Sequence, residues 1–133
     1  MNKMILPLLF GAYIFRAIGA DAIPSELIGE WAPDDAVFQN GGVASGYAIY
    51  INTNGMAATV MGPEFIDIKW HAIYDATNHV LTLRDDPHPW LQNTSTNNLT
   101  YDPKTKTLHQ FHPNEVLRRH RDFVPKSVIE ASQ

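Results

Sequence analysis

The residues able to do chemistry are few and scattered. Six histidines occur along the chain. His109 and His112 stand three apart, a spacing that on one strand sends their side chains to opposite faces, so only a turn at His112-Pro113 brings them together. His71, His79, His88 and His120 fall on separate stretches, where surface or hydrogen-bonded imidazoles are the simpler reading, and no metal site and no cofactor is expected. The carboxylate pairs Asp34-Asp35 and Asp85-Asp86 have the residue type for acid–base work. Both sit beside a proline in turn-like sequence, where Asp bonds its own backbone. Ser45 lacks the Gly-x-Ser-x-Gly elbow of an activated serine, and Gly41-Gly42 has no lysine placed to hold phosphate. No residue is assigned a catalytic role, so the chain reads as a binding protein and not as an enzyme.

Binding chemistry is better represented. Tyr47, Tyr50, Trp70, Tyr74, Trp90, Tyr101 and Phe111 supply aromatic surface that can line an interior or an exposed binding face. Asp34, Asp35, Asp85 and Asp86, the Gly41-Gly42 turn and the proline-stiffened run from Asp85 to Trp90 combine negative charge with a large aromatic. Gathered at one end of a domain, they form a recognition surface. The candidate binding residues are therefore Asp34, Asp35, Tyr47, Tyr50, Trp70, Asp85, Asp86 and Trp90.

Elements must exist to position these groups. Lys3, an apolar run from Met4 to Phe15, and Ala20-Asp21-Ala22 as a small-x-small cleavage site read as a signal peptide over residues 1–22. The run is shorter than the roughly 20 residues a spanning helix needs, so export without stable membrane insertion is expected. Residues 23–133 are the size of a single domain. Cleavage removes two of ten basic and one of fourteen acidic residues, leaving a formal charge of −5. That balance argues against nucleic acid as a partner. The charge is uneven: residues 23–100 hold nine acids against Lys69 and Arg84, whereas residues 101–133 hold six basic residues against four acids. Either the two ends of the domain attract each other, or Arg118, Arg119 and Arg121 face an acidic partner. The chain has no cysteine, so its core must suffice without disulfides, and a periplasmic or secreted location is the expected address.

Residues 26–31 read as a first short strand, followed by a long polar loop through Pro33-Asp-Asp and Gln39-Asn-Gly-Gly. Residues 46–51 and 56–61 flank the turn signal Asn52-Thr-Asn-Gly55 and make a hairpin. Residues 65–74 alternate with Ile66, Ile68, Trp70, Ala72 and Tyr74 on one side, and residues 80–85 return as the next strand. Tyr74-Asp-Ala-Thr-Asn-His-Val-Leu81 is echoed at Tyr101-Asp-Pro-Lys-Thr-Lys-Thr-Leu108, and both stretches read as strand, tight turn, strand. Residues 116–123 are a final strand or a short helix stopped by Pro125. The fold class is all-β: a small antiparallel meander or up-and-down barrel of about seven or eight strands.

Gly29-Glu30-Trp31, on the first strand, resembles the Gly-x-Trp signature of lipocalins and their calycin relatives. The resemblance covers three residues; the chain departs from the family in its shorter length, its lack of a disulfide and the absence of a second motif. It implies a calycin-like barrel in which Trp31 closes one end beneath an arginine of the last strand. A guanidinium on an indole face gains about 0.5–2 kcal/mol. If Leu117 and Phe123 point inward, Arg119 and Arg121 lie on the same side as candidates for that cover. The resemblance also implies a small apolar or amphiphilic ligand in an open barrel end. The alternative is a periplasmic immunity or inhibitor protein that blocks a protein partner through its acidic loops.

Overall fold

In the computed structural model, residues 22–40, 42–63, 65–85, 95–111, 114–126 and 128 are described, with the backbone alone over 65–68. A 3-10 turn (Ser25–Leu27) leads into ten strands: β1 (Gly29–Ala32), β2 (Val37–Gln39), β3 (Gly42–Ser45), β4 (Tyr47–Ile51), β5 (Met56–Met61), β6 (Phe65–Asp75), β7 (Val80–Asp85), β8 (Thr96–Asp102), β9 (Thr107–Phe111) and β10 (Asn114–Arg121). Eight of them form a closed antiparallel barrel in the order β1-β10-β9-β8-β7-β6-β5-β4, while β2 and β3 pair separately. Closure removes the sheet edges that an open meander would expose.

Period-two alternation fills the barrel from every wall. Trp31, Ile49, Ile51, Trp70, Tyr74, Leu81, Leu83, Leu99, Tyr101, Leu108 and Leu117 belong to one contiguous buried cluster, with Leu27 of the 3-10 turn. An eight-stranded barrel is just wide enough for side chains to fill. A second cluster lies on the outer face of the same wall: Ala32, Ala48, Tyr50, Ala58 and Val60, covered by Val43 and Val128, with Ala36, Phe38 and Val124 packed against it.

That outer cover corrects the long loop expected after the first strand. Val37–Gln39 and Gly42–Ser45 pair antiparallel, with Phe38 opposite Val43 and Asn40 in the left-handed region at φ 53°. The apolar pair Phe38 and Val43 has a surface to bury against, which a polar loop would leave exposed.

The tight turns explain the internal echo. Asp75 Oδ1 accepts the amide hydrogens of Thr77 and Asn78, and Asp102 Oδ1 those of Lys104 and Thr105. His79 and Lys106 close their turns at φ 56° and 57°. The same Asp-led turn is used twice because the side chain replaces backbone partners the turn leaves open. These bonds hold both carboxyls below the ordinary 3.8, the Asn78 side chain acting first on Asp75 and the Lys104 amide on Asp102.

The final segment is a strand, Asn114–Arg121, and not a helix. Leu117 points inward as expected, but Phe123 lies beyond the strand and is 54% exposed. The register slips between Glu30 and Trp31, so that Trp31 faces Arg119 and Glu30 faces Arg121. The extra residue, His120, breaks the alternation, and Arg119 and Arg121 part to different sides.

Candidate binding site at the loop end of the barrel

The barrel has two unlike ends. One carries the tight turns β4–β5, β6–β7 and β8–β9 and the 3-10 segment. The other carries the β1–β4 excursion and the β5–β6, β7–β8 and β9–β10 connections.

At the tight-turn end Trp31 is fully buried and donates its indole hydrogen to Leu27 O at 2.9 Å. Its ring meets Tyr101 edge-on, with centroids 6.2 Å apart. Arg119, its cross-strand partner, donates from Nε to Ile28 O at 2.9 Å and from Nη2 to Ser25 O at 3.0 Å. The guanidinium therefore ties the 3-10 segment over the barrel mouth. The indole stacking expected of it gives way to these two carbonyl bonds, and the cation–π contact among the described residues is Arg121 over Phe123, at 5.8 Å. Gly29 admits no side chain: at φ 130° an added Cβ would stand 2.0 Å from Arg121 O.

Arg121 faces the outer cluster instead. Its Nε lies 3.3 Å from Oε1 of Glu30, which is fully buried and accepts a hydrogen bond from the Tyr50 hydroxyl on its other oxygen. A carboxylate buried this way persists only when paired, so Arg121 and Tyr50 together hold it. Glu30 was not among the sequence candidates; as the middle residue of Gly-x-Trp it has outward parity, and nothing local announces that the outer wall is covered.

At the loop end the inward positions turn polar. Asn97 Nδ2 donates to Gln110 Oε1 at 2.8 Å, Gln110 Nε2 to the Tyr47 hydroxyl at 2.9 Å, and that hydroxyl to Glu115 Oε1 at 3.1 Å. Burial first, then the bond to Glu115 and its negative charge, push the Tyr47 phenol well above its ordinary value; Asp35 adds to the effect. Tyr47 is thus a neutral donor on an acidic rim. Trp70 faces the same interior and donates to Thr59 Oγ1 at 2.8 Å. Its cross-strand partner is Asp85, whose amide bonds Ser95 O.

Of the candidates, Tyr47, Trp70, Asp35 and Asp85 belong to the inner side or the rim of this end, and Asp34 is exposed beside Asp35. Asp34 also meets Arg118 at 3.0 Å, a pair whose side chains are 72% and 56% exposed and which contributes at most about 1 kcal/mol. Tyr50 is not brought together with them: three residues after Tyr47, it has the opposite parity and is buried in the outer cluster. Asp86 and Trp90 lie outside the described residues, as does His112. Gln110, Asn97 and Glu115 were missed. The signal was present, since Gln110 shares the parity of Leu108, and Glu115 that of Leu117.

Among the described residues no three His, Asp or Glu gather as a metal-ligand set, and no helix is long and apolar enough to cross a membrane.

The fold defines a closed eight-stranded antiparallel barrel, a form compatible with the calycin architecture. Comparison with known families, curated proteins and solved structures returns no match.

Proposed function

We propose that the chain is an exported, non-catalytic binding protein, calycin-like in form, that recognises its target at the loop end of the barrel. The observation that carries this reading is the change in chemistry along the interior. The wall is apolar through Leu81, Leu83, Leu99, Leu108 and Leu117, and becomes polar at Tyr47, Asn97, Gln110 and Glu115 beneath the rim that bears Asp34, Asp35 and Asp85. An eight-stranded interior that already holds Trp31, Trp70, Tyr74 and Tyr101 favours recognition by the rim over enclosure of a large ligand. The first reading is therefore a protein partner with a basic surface, blocked or sequestered as an immunity protein or inhibitor does. Charge complementarity of this kind speeds encounter and rejects wrong partners.

A small amphiphilic ligand is the second reading, supported by the Tyr47–Gln110–Asn97 ladder, which offers amide donors to a polar head, and by Trp70, which faces the same interior and offers an indole to a tail. Capture from a periplasmic extract, with mass analysis of both proteins and lipids, separates the two. For a protein partner, the association rate should fall as salt rises, because attraction between exposed charges is screened over about 10 Å at 0.1 M. Replacing Asp34, Asp35 and Asp85 together by Asn should slow it further while leaving the circular dichroism unchanged. Indifference to both salt and these substitutions would contradict the acidic-rim reading.

A further inference from the structure

At the opposite end, and independent of the loop-end reading, a cleft of about 340 Å³ opens beside the turn that joins β8 to β9. Its lining brings together Glu26, Trp31, Tyr101, Lys106, Arg118 and Arg119. This is the basic group that the carboxyl-terminal third of the sequence concentrates in an otherwise acidic chain, gathered around two aromatic residues.

We infer that this cleft binds a small amphiphile carrying a carboxylate, with Lys106, Arg119 and the Tyr101 hydroxyl holding the head group. Arg118 is engaged by Asp34, so the working cations are Lys106 and Arg119. Lys106 forms no ion pair among the described residues, and its position at φ 57° on an Asp102-anchored turn fixes where its stem departs. Arg119 spends Nε and one Nη2 hydrogen on the carbonyls of Ile28 and Ser25, which locks the guanidinium plane and leaves the Nη1 edge as a fixed donor pair. The Tyr101 hydroxyl has no hydrogen-bond partner among the described residues, although its ring is buried. That burial, then the charge of Glu26, raises its pKa, so it stays a neutral donor while Arg119 opposes the shift.

The volume exceeds what a bare oxyanion fills and sits at the small end of ligand pockets. The Tyr101 ring, with Trp31 packed beneath it, supplies an apolar wall, and the stems of Lys106 and Arg119 extend it. Glu26 is the opposing charge at the rim. It disfavours dianions and sets a sign for the test.

The experiment is a titration of the 15N-labelled mature chain with octanoate, followed through the amides of Lys106 and Arg119 and the indole resonance of Trp31, with octylamine, octanol and inorganic phosphate as comparisons. Octanoate should give a saturable shift confined to these groups, and the other three probes should bind more weakly. Lys106→Asn, which keeps a residue at ease in the left-handed region, should weaken octanoate about fivefold through loss of one charge-assisted contact. Glu26→Gln should tighten it about twofold by removing a repulsive charge in a solvent-open site. The inference is overturned if octanoate gives no saturable shift, if octylamine or octanol binds as well, or if phosphate alone matches it. It is equally overturned if the shifts map to Tyr47 and Gln110, or if Lys106→Asn leaves affinity unchanged or Glu26→Gln lowers it.

Discussion

The two ends of this barrel solve opposite problems with the same strands. At the tight-turn end, Trp31, Tyr101 and Leu27 close the interior, Arg119 straps the 3-10 segment across it, and Asp-led turns hold the strands in register. At the loop end the interior gives up apolar packing for the Asn97–Gln110–Tyr47–Glu115 ladder, beneath an acidic rim. The difference separates two kinds of interior and motivates the proposal that recognition belongs to the second: buried apolar volume and locked turns concentrate at one end, largely half-buried polar groups at the other. Function and low local stability commonly go together for this reason.

The comparison predicts unequal costs. Trp31→Ala should destabilise by about 3–5 kcal/mol, as a large core deletion at the closed end, read from denaturant midpoints. Gly29→Ala should cost about 3 kcal/mol, since the added methyl meets the Arg121 carbonyl and the backbone angle disfavours any side chain. Arg121→Met should cost about 2 kcal/mol by leaving Glu30 buried beside Tyr50 alone, and the double variant with Glu30→Gln should recover part of it. Gln110→Ala should cost only about 1 kcal/mol, because its partners Asn97 and Tyr47 are half-buried and can bond water once the buried amide is gone. A loop-end deletion as costly as Trp31→Ala would erase the distinction.

The smallest effect is pH-linked. Asp75 and Asp102 have carboxyls lowered from 3.8 by hydrogen bonds made in the folded turns, so their contribution is present above that value and is lost as pH falls through the lower folded ones. Carbon-detected titration should place both below 3.8, and the Tm difference between wild type and Asp102→Ala should shrink as acid is added.

Much of this architecture was legible because strand signals were local. Asn52-Thr-Asn-Gly55 and the paired Tyr-Asp turns specify hairpins through a few side chains, and the alternation from Trp70 to Tyr74 states which face is buried. The pairing of Val37–Gln39 with Gly42–Ser45 was not, since these short strands are stabilised by burial against an outer wall formed by residues distant in sequence. The same distance hid Glu30, whose partners Tyr50 and Arg121 arrive from β4 and β10. The bulge at His120 separated Arg119 from Arg121, and a strict period of two has no place for an extra residue. At the candidate site, Tyr47 and Trp70 were visible as aromatics, whereas Asn97, Gln110 and Glu115 look like surface residues until pairing register sets their parity.

Hydrogen exchange on the protein bound to a captured protein partner with a basic surface tests the proposed division of labour most directly. The account predicts new protection at the loop end, over residues 34–39, 61–63, 95–97 and at Phe111 and Glu115, with the turns at 52–55, 76–79 and 103–106 unchanged. Protection confined to those turns, with the acidic rim exchanging as in the free protein, would contradict it.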